Sequence, residues 1–263
     1  MLTYLQKKSG KSYEEAISQL QAGQYIPEYE SLFLAKETYA PIPLDFGGFF
    51  EPTKNYPDAE KYLASRGISE YTVRKLGLEY DPDKKRIVFP VKDVDGNLFG
   101  FTGRVIEDHI KPKVFNYCDV DKSQFILGQE HWNRELPSVL VEGLFALAHF
   151  TEITKGKYFP YNLGAIMGSS ISDGQIERLI KFGQPIYVFL DNDPPGRAGM
   201  YGKPPQKDWS KAKRELERSK GLIHKLKDDL PTFIPKWPED ISDPDKLSYD
   251  QLYDMILSSK LAF

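Results

Sequence analysis

The chain has 263 residues, which at roughly 150 per domain makes one or two domains with a sizeable core. Apolar residues at 40% and charged residues at 28% exclude disorder as the overall state, and 35 Lys and Arg against 38 Asp and Glu exclude a protein that coats nucleic acid by bulk positive charge, though not one with a local basic patch. One cysteine, Cys118, and four scattered histidines exclude an internal disulfide and a multi-cysteine zinc module, and no apolar run approaches the ~18 residues of a membrane span, so a soluble, cytoplasmic protein with no signal peptide and no membrane partner is expected.

The first periodic stretch, SYEEAISQLQAG, predicts a short amphipathic helix closed by Gly23. Residues 24–56 carry prolines and aromatics without a period and read as a linker or wrapping arm. PDAEKYLASRG predicts a helix stopped at Gly67, and ISEYTVRKLGL a second one capped by Ser69. The period then changes. RIVFPV and LFGFTGRVI, joined by Asp95-Gly96, predict a β-hairpin, with KPKVFNY as a third strand. From residue 138 onward strands and helices alternate: SVLVEG a strand, LFALAHFTEITKG a helix, NLGAIMG a strand, then Ser172 and Gln175 as a capping box ahead of IERLIKFG, and IYVFLD a buried strand. DWSKAKRELERSKG predicts a surface helix capped by Asp208, LIHKLKDDL a strand-like stretch, and DPDKLSYDQLYDMILSS a last helix. Such alternation implies βαβ crossovers and a parallel sheet covered on both faces. The fold class is therefore α/β, with an α+β subdomain over 56–136 following an N-terminal helix and arm (1–55), a parallel-sheet domain over 137–247, and a C-terminal helix over 248–263.

Ligands of an open parallel sheet bind outside the C-terminal ends of its strands. Two strands here end in acid, SVLV at Glu142-Gly143 and IYVFL at Asp191-Asn192-Asp193. Alternation puts Asp191 and Asp193 on one side of the chain. Three carboxylates gathered there repel by several kcal/mol per pair at ~4 Å and an effective dielectric near 20. A divalent cation removes that penalty, and oxygen-only ligands select Mg²⁺ or Mn²⁺, the ions of phosphoryl-transfer chemistry.

VEG closing a first strand and DND followed by PPGRAG resemble the TOPRIM domain shared by primases, topoisomerases and some nucleases. Upstream, RIVFPVKDVDGNLFGFTGRVI, KPKVFNY and SQFILGQEHW are similar, in order, to the segments of the bacterial and phage DNA primase core, and DPDKL downstream resembles that family's second acidic element. SYEEAISQL is similar to the helix that follows the family's zinc-binding module. The resemblance covers most of the chain. It implies a primase catalytic core that lacks the zinc-binding module and joins ribonucleoside triphosphates on a single-stranded DNA template during replication. A TOPRIM nuclease and a degenerate primase that only binds nucleic acid are the alternatives.

Carried over position by position, Glu142, Asp191 and Asp193 are the catalytic, metal-binding acids for Mg²⁺ or Mn²⁺. Asp243 and Asp245 are a second metal-binding element, with a helix N-terminus as the rival explanation of both. Arg86, Arg104, Lys113 and Asn116 line the groove for template and nucleotide, whereas Lys84, Lys85 and Lys111 are read as solvated charges. The resemblance also implies a zinc-binding primase module supplied in trans, a replicative helicase as partner, and a phage-encoded protein acting in host cytoplasm. The chain departs from the family in two places: Ala146 stands where an aspartate is usual, and Pro194-Pro195 with residues 201–206 departs from the usual tight turn into the helix after the acids.

Overall fold

The computed structural model describes residues 50–206, 208–218 and 220–262, which belong to one unit spanning residues 41–263. The helix expected at SYEEAISQLQAG and the arm up to residue 49 lie outside the described residues. The end of that arm, aperiodic in sequence, forms strand β1 (Glu51–Pro52) and a 3-10 turn at Thr53–Asn55.

Two helices follow where the apolar period predicts them, α1 (Pro57–Ser65) and α2 (Glu70–Leu76). Ser69 is the residue before α2 but does not cap it with its side chain. Its hydroxyl instead donates to Glu152 Oε2 (2.8 Å), as do its own backbone N–H (3.0 Å) and the Thr72 hydroxyl (2.6 Å). A carboxylate 83 residues away thus closes this helix start, which no local pattern could announce.

The hairpin forms as expected. Strands β2 (Glu79–Asp81), β3 (Arg86–Lys92), β4 (Leu98–Val105) and β5 (Val114–Tyr117) complete an antiparallel sheet in the order β1-β2-β3-β4-β5. Its register pairs Ile87 with Arg104, Arg86 with Val105, and Thr102 with Asn116. Directly opposed residues share a face, so Arg104 and Asn116 lie on the Ile87 face and Arg86 on the other.

The second sheet has the order β10-β9-β8-β6-β7. Its strands β6 (Ser138–Val141), β7 (Asn162–Ala165), β8 (Ile186–Phe189) and β9 (Thr232–Ile234) are parallel, and β10 (Lys260–Leu261) is an antiparallel edge. Helices α3 (Leu144–Ile153), α4 (Asp173–Phe182), α5 (Pro194–Tyr201), α6 (Lys211–Arg218), α7 (Leu222–Leu226) and α8 (Tyr249–Leu257) complete the chain. Val139, Val141 and Phe189 pack on α3 and α8, while Leu140, Val188 and Leu190 pack on α4, α5 and α7. Both faces are therefore covered, the arrangement that makes parallel strands read as continuous apolar runs.

Helix α3 is apolar on nearly all sides because it lies between the two sheets. Phe145 meets Phe89 of the antiparallel sheet edge to face at 5.5 Å, and Phe150 meets Phe189 of the parallel sheet at 5.8 Å. One core cluster joins both sheets through this helix.

Three expectations change here. LIHKLKDDL is not strand-like: its first half is helix α7, which buries Leu222, Ile223 and Leu226, a helical spacing, and the strand lies beyond Pro231. Helix α6 begins at Lys211 rather than at Asp208; the Lys213 N–H donates to Ser210 Oγ (3.2 Å), so Ser210 satisfies its first turn. The last helix does not begin at DPD, which forms a 3-10 turn (Pro244–Lys246); Ser248 and Gln251 make a capping box that starts α8 at Tyr249. The capping box expected of Ser172 and Gln175 is present at α4.

Candidate active site

Glu142 follows β6 directly, and Asp191 and Asp193 follow the adjacent parallel strand β8. The loop of Asp243 and Asp245 is tied to them by the Asn192 N–H, which donates to the Ser242 carbonyl (2.7 Å). Far apart in sequence, these acids come to one edge because β6 pairs in parallel with β8.

What fixes the DND segment is the glycine spacing of PPGRAG. Asp193 Oδ1 accepts from the Gly196 N–H (2.8 Å) and caps α5, with Pro194 in the first turn, where a missing N–H costs nothing. A Cβ at Gly196 would lie 2.0 Å from the Asp191 carbonyl oxygen, and one at Gly199 1.7 Å from that of Ser169. Only glycine lets α5 fold back this closely on the loop that carries Asp191 and on the loop at Ser169. Pro194-Pro195, the departure noted in the sequence, begins the helix.

Electrostatics tie the five acids together. Burial first, then the charges of Asp191 and Asp193, pushes the Glu142 carboxyl up to about 7. Burial, then Asp243, Asp193 and Asp245, pushes Asp191 up to about 6. Asp245 is raised by burial and by Asp243, and partly drawn back by Arg66, His149 and Arg104. Among the described residues no three carboxylate, imidazole or thiol groups stand close enough to hold one ion as they are. Two oxygens are nonetheless buried without a hydrogen-bond partner, Glu142 Oε2 and Asp245 Oδ1. A buried carboxylate oxygen with no partner is costly unless a proton or a cation takes it. All the donors are oxygens, so the residues fit a hard divalent cation.

The basic residues divide. Arg104 is close enough to Asp245 to draw its carboxyl down, and Asn116 shares its face of the sheet with a buried, unpartnered Oδ1. Arg86 lies on the other face, largely buried in the sheet. It is 2% exposed, and its guanidinium donates to the carbonyls of Pro112 (2.6 Å), Lys113 (3.1 Å) and Gly103 (3.5 Å). The side chain is spent on joining β3, β4 and the loop before β5, on the face opposite Arg104. Lys113 is exposed, and as the residue before Val114, the partner of Arg104, it belongs by alternation to the Arg86 face. Lys84 and Lys85 are paired rather than free, with Asp81 (3.5 Å) and Glu107 (2.5 Å).

This fold is matched by solved primase structures. The Aquifex aeolicus primase comprising zinc-binding and RNA polymerase domains matches with a TM-score of 0.62 at 22% identity, covering 98% of this chain and 70% of that one. A DNA primase domain from Pseudomonas aeruginosa matches at 0.60 and 24% identity, over 81% and 76%. A DnaG primase catalytic domain bound to single-stranded DNA matches at 0.59 and 18%, over 81% and 76%. The chain has the fold of a DNA primase catalytic core.

Sequence comparison agrees. The DNA primase of Aquifex aeolicus is 27% identical over 186 residues (54% of this chain, 36% of the relative), and that of Pseudomonas aeruginosa 31% over 178 residues (61% and 26%). The chain spans about a third of the length of the curated relatives it matches. No family model matches it.

Within the primase-core fold, Ala146 is 4% exposed inside α3, so the position where a further acid is usual belongs here to the core. Arg66 and His149 are site neighbours that sequence reasoning missed. Arg66 pairs with Asp245 Oδ2 (3.3 Å) while its guanidinium covers the Phe145 ring at 4.6 Å. His149 Nε2 lies 2.7 Å from the Leu247 carbonyl, just beyond the second acidic element. The Arg66 contact spans 179 residues, and "RG" after a helix carries no signal for it.

Proposed function

We propose that the chain is the catalytic core of a DNA primase, joining ribonucleoside triphosphates on a single-stranded DNA template. One observation carries the reading: Glu142, Asp191 and Asp193 follow adjacent parallel strands, and burial together with the neighbouring acids raises the carboxyls of Glu142, Asp191 and Asp245. Relatives named DNA primase and a structural neighbour bound to single-stranded DNA support it.

In the reaction the 3′-hydroxyl oxygen of the growing strand bonds to the α-phosphorus of the incoming nucleotide as the bond to pyrophosphate breaks. Glu142, Asp191 and Asp193 would hold a divalent cation, Mg²⁺ or Mn²⁺, with Asp243 and Asp245 sharing its charge, and when bound it would supply activation of the hydroxyl and stabilisation of the leaving group. Arg104, close to Asp245, holds phosphate of the template or nucleotide, and Asn116 offers a polar contact on the same face of the sheet. Arg66 anchors Asp245 from the rear. A zinc-binding primase module and a replicative helicase are the partners this reading calls for.

The test is incorporation of labelled ribonucleotides on a single-stranded DNA template with Mg²⁺ or Mn²⁺. Wild type should make product and folded Asp191→Asn should not. Equal incorporation by both removes Asp191 from the chemistry; no product from wild type with either ion, from a supplied primer or without one, overturns the polymerase reading.

A further inference from the structure

Beside the acids lies a second feature that the polymerase reading does not use. Helix α5 and the chain leaving it, together with α6, enclose an open cleft of about 720 Å³. One wall is Tyr201, 48% exposed, with Pro204 and Pro205. Among the described lining residues, Arg197, Lys203, Arg214 and Arg218 stand against one carboxylate, Glu215, a positive patch on a chain whose net charge is −3.

The cleft begins at the residue that follows the acids of β8. Pro194, the residue after Asp193, lines it, and Arg197 donates to the Asn192 carbonyl (3.1 Å), between the two acids. Its shape rests on the stretch after α5 that departs from the usual primase pattern. Gly202 (φ +80°) turns the chain where a Cβ would lie 2.2 Å from the Glu217 carbonyl oxygen, so the chain leaving α5 passes directly against the end of α6. An exposed ring and prolines offer a flat apolar face, and arginines and a lysine ring it with charge. Single-stranded nucleic acid presents the complement of both, a stackable base every few ångströms along a phosphate chain.

We propose, resting on the polymerase reading above, that this cleft is a subsite for single-stranded nucleic acid leaving the acidic edge: one base packs on Tyr201 and the prolines, and its flanking phosphates meet Arg197, Lys203 and Arg218. A free mononucleotide has one base and its own phosphates and lacks the next link of the chain, so the site favours strand over monomer.

The experiment uses the full chain and measures fluorescence anisotropy of a labelled oligothymidylate, with ATP binding measured in parallel. Tyr201→Ala should weaken the oligonucleotide about tenfold, the scale of one lost base–aromatic contact, and Tyr201→Phe should restore it. Arg218→Ala should weaken it and lower the slope of log affinity against log salt by about 0.7, one phosphate contact on a single strand. ATP affinity should not change in any of the three. Both residues are exposed, and matching melting temperatures establish that the variants fold. Oligonucleotide binding at wild-type strength in both alanine variants overturns the proposal, as does a loss confined to ATP. Robust primer synthesis with no Tyr201 or Arg218 effect sinks the cleft and leaves the polymerase reading standing; Tyr201-dependent strand binding by a protein that makes no product does the reverse.

Discussion

Replacing Glu142 by Gln should make the metal-free protein more stable, and the gain should grow with pH. Burial beside Asp191 and Asp193 moves this carboxyl from its ordinary 4.5 to about 7. At about 1.4 kcal/mol per pH unit, ionising it in the folded state costs about 3 kcal/mol more than in the unfolded chain. Solvent on the open side of the site discounts that to about 1–2 kcal/mol. The folded state holds the proton more tightly, so wild type loses this stability as pH rises from about 4.5 through about 7 and loses no more beyond it. Glutamine is neutral throughout. In urea melts with EDTA, the two proteins should be equally stable near pH 4, apart from a constant offset, and diverge by about 1–2 kcal/mol by pH 8. Added Mg²⁺ should close or invert the gap, because an ion that binds only the folded wild-type carboxylates stabilises that state by mass action. A difference independent of pH would refute the argument that the acids hold one another's protons; a gap indifferent to Mg²⁺ would refute the cation.

Asp193 caps α5, and substitutions separate that cap from the proposed role in the reaction. Asp193→Asn keeps a good helix cap and should abolish nucleotide incorporation with little change in melting temperature, whereas Asp193→Ala should also lose about 1 kcal/mol of stability. Gly196→Ala should cost stability and incorporation together, since its Cβ would meet the Asp191 carbonyl oxygen at 2.0 Å; a fully active Gly196→Ala protein would show that the turn is not needed. Burial pushes the Glu152 carboxyl up, but bonds from Thr72 and Ser69 pull it below its ordinary value. Its stabilisation is therefore present above about pH 4.5 and lost as pH falls through the lower folded value, so Glu152→Gln should cost about 1–2 kcal/mol near pH 7 in urea melts, with the difference closing in acid.

The residues legible in the amino-acid sequence are those whose role is local or strictly periodic. SVLV and IYVFL are continuous apolar runs because both faces of a parallel strand are covered, and the acids directly after them fall at the strand ends, where such sheets bind ligands. The capping box at Ser172 and Gln175 and the Asp95-Gly96 hairpin are also readable, since a few adjacent residues determine them. LIHKLKDDL reads as strand-like because a short apolar pattern fits helix and strand alike, and only packing on the sheet decides between them. Arg86 and Arg104 look alike in sequence, each a cation at a strand end. Alternation separates their faces, but tertiary packing decides that one face carries buried carbonyls to be satisfied and the other brings Arg104 within reach of Asp245. The partnerships of Arg66 with Asp245 and of Ser69 with Glu152 are likewise tertiary, because they join groups 179 and 83 residues apart that meet only after α3 is clasped between the two sheets.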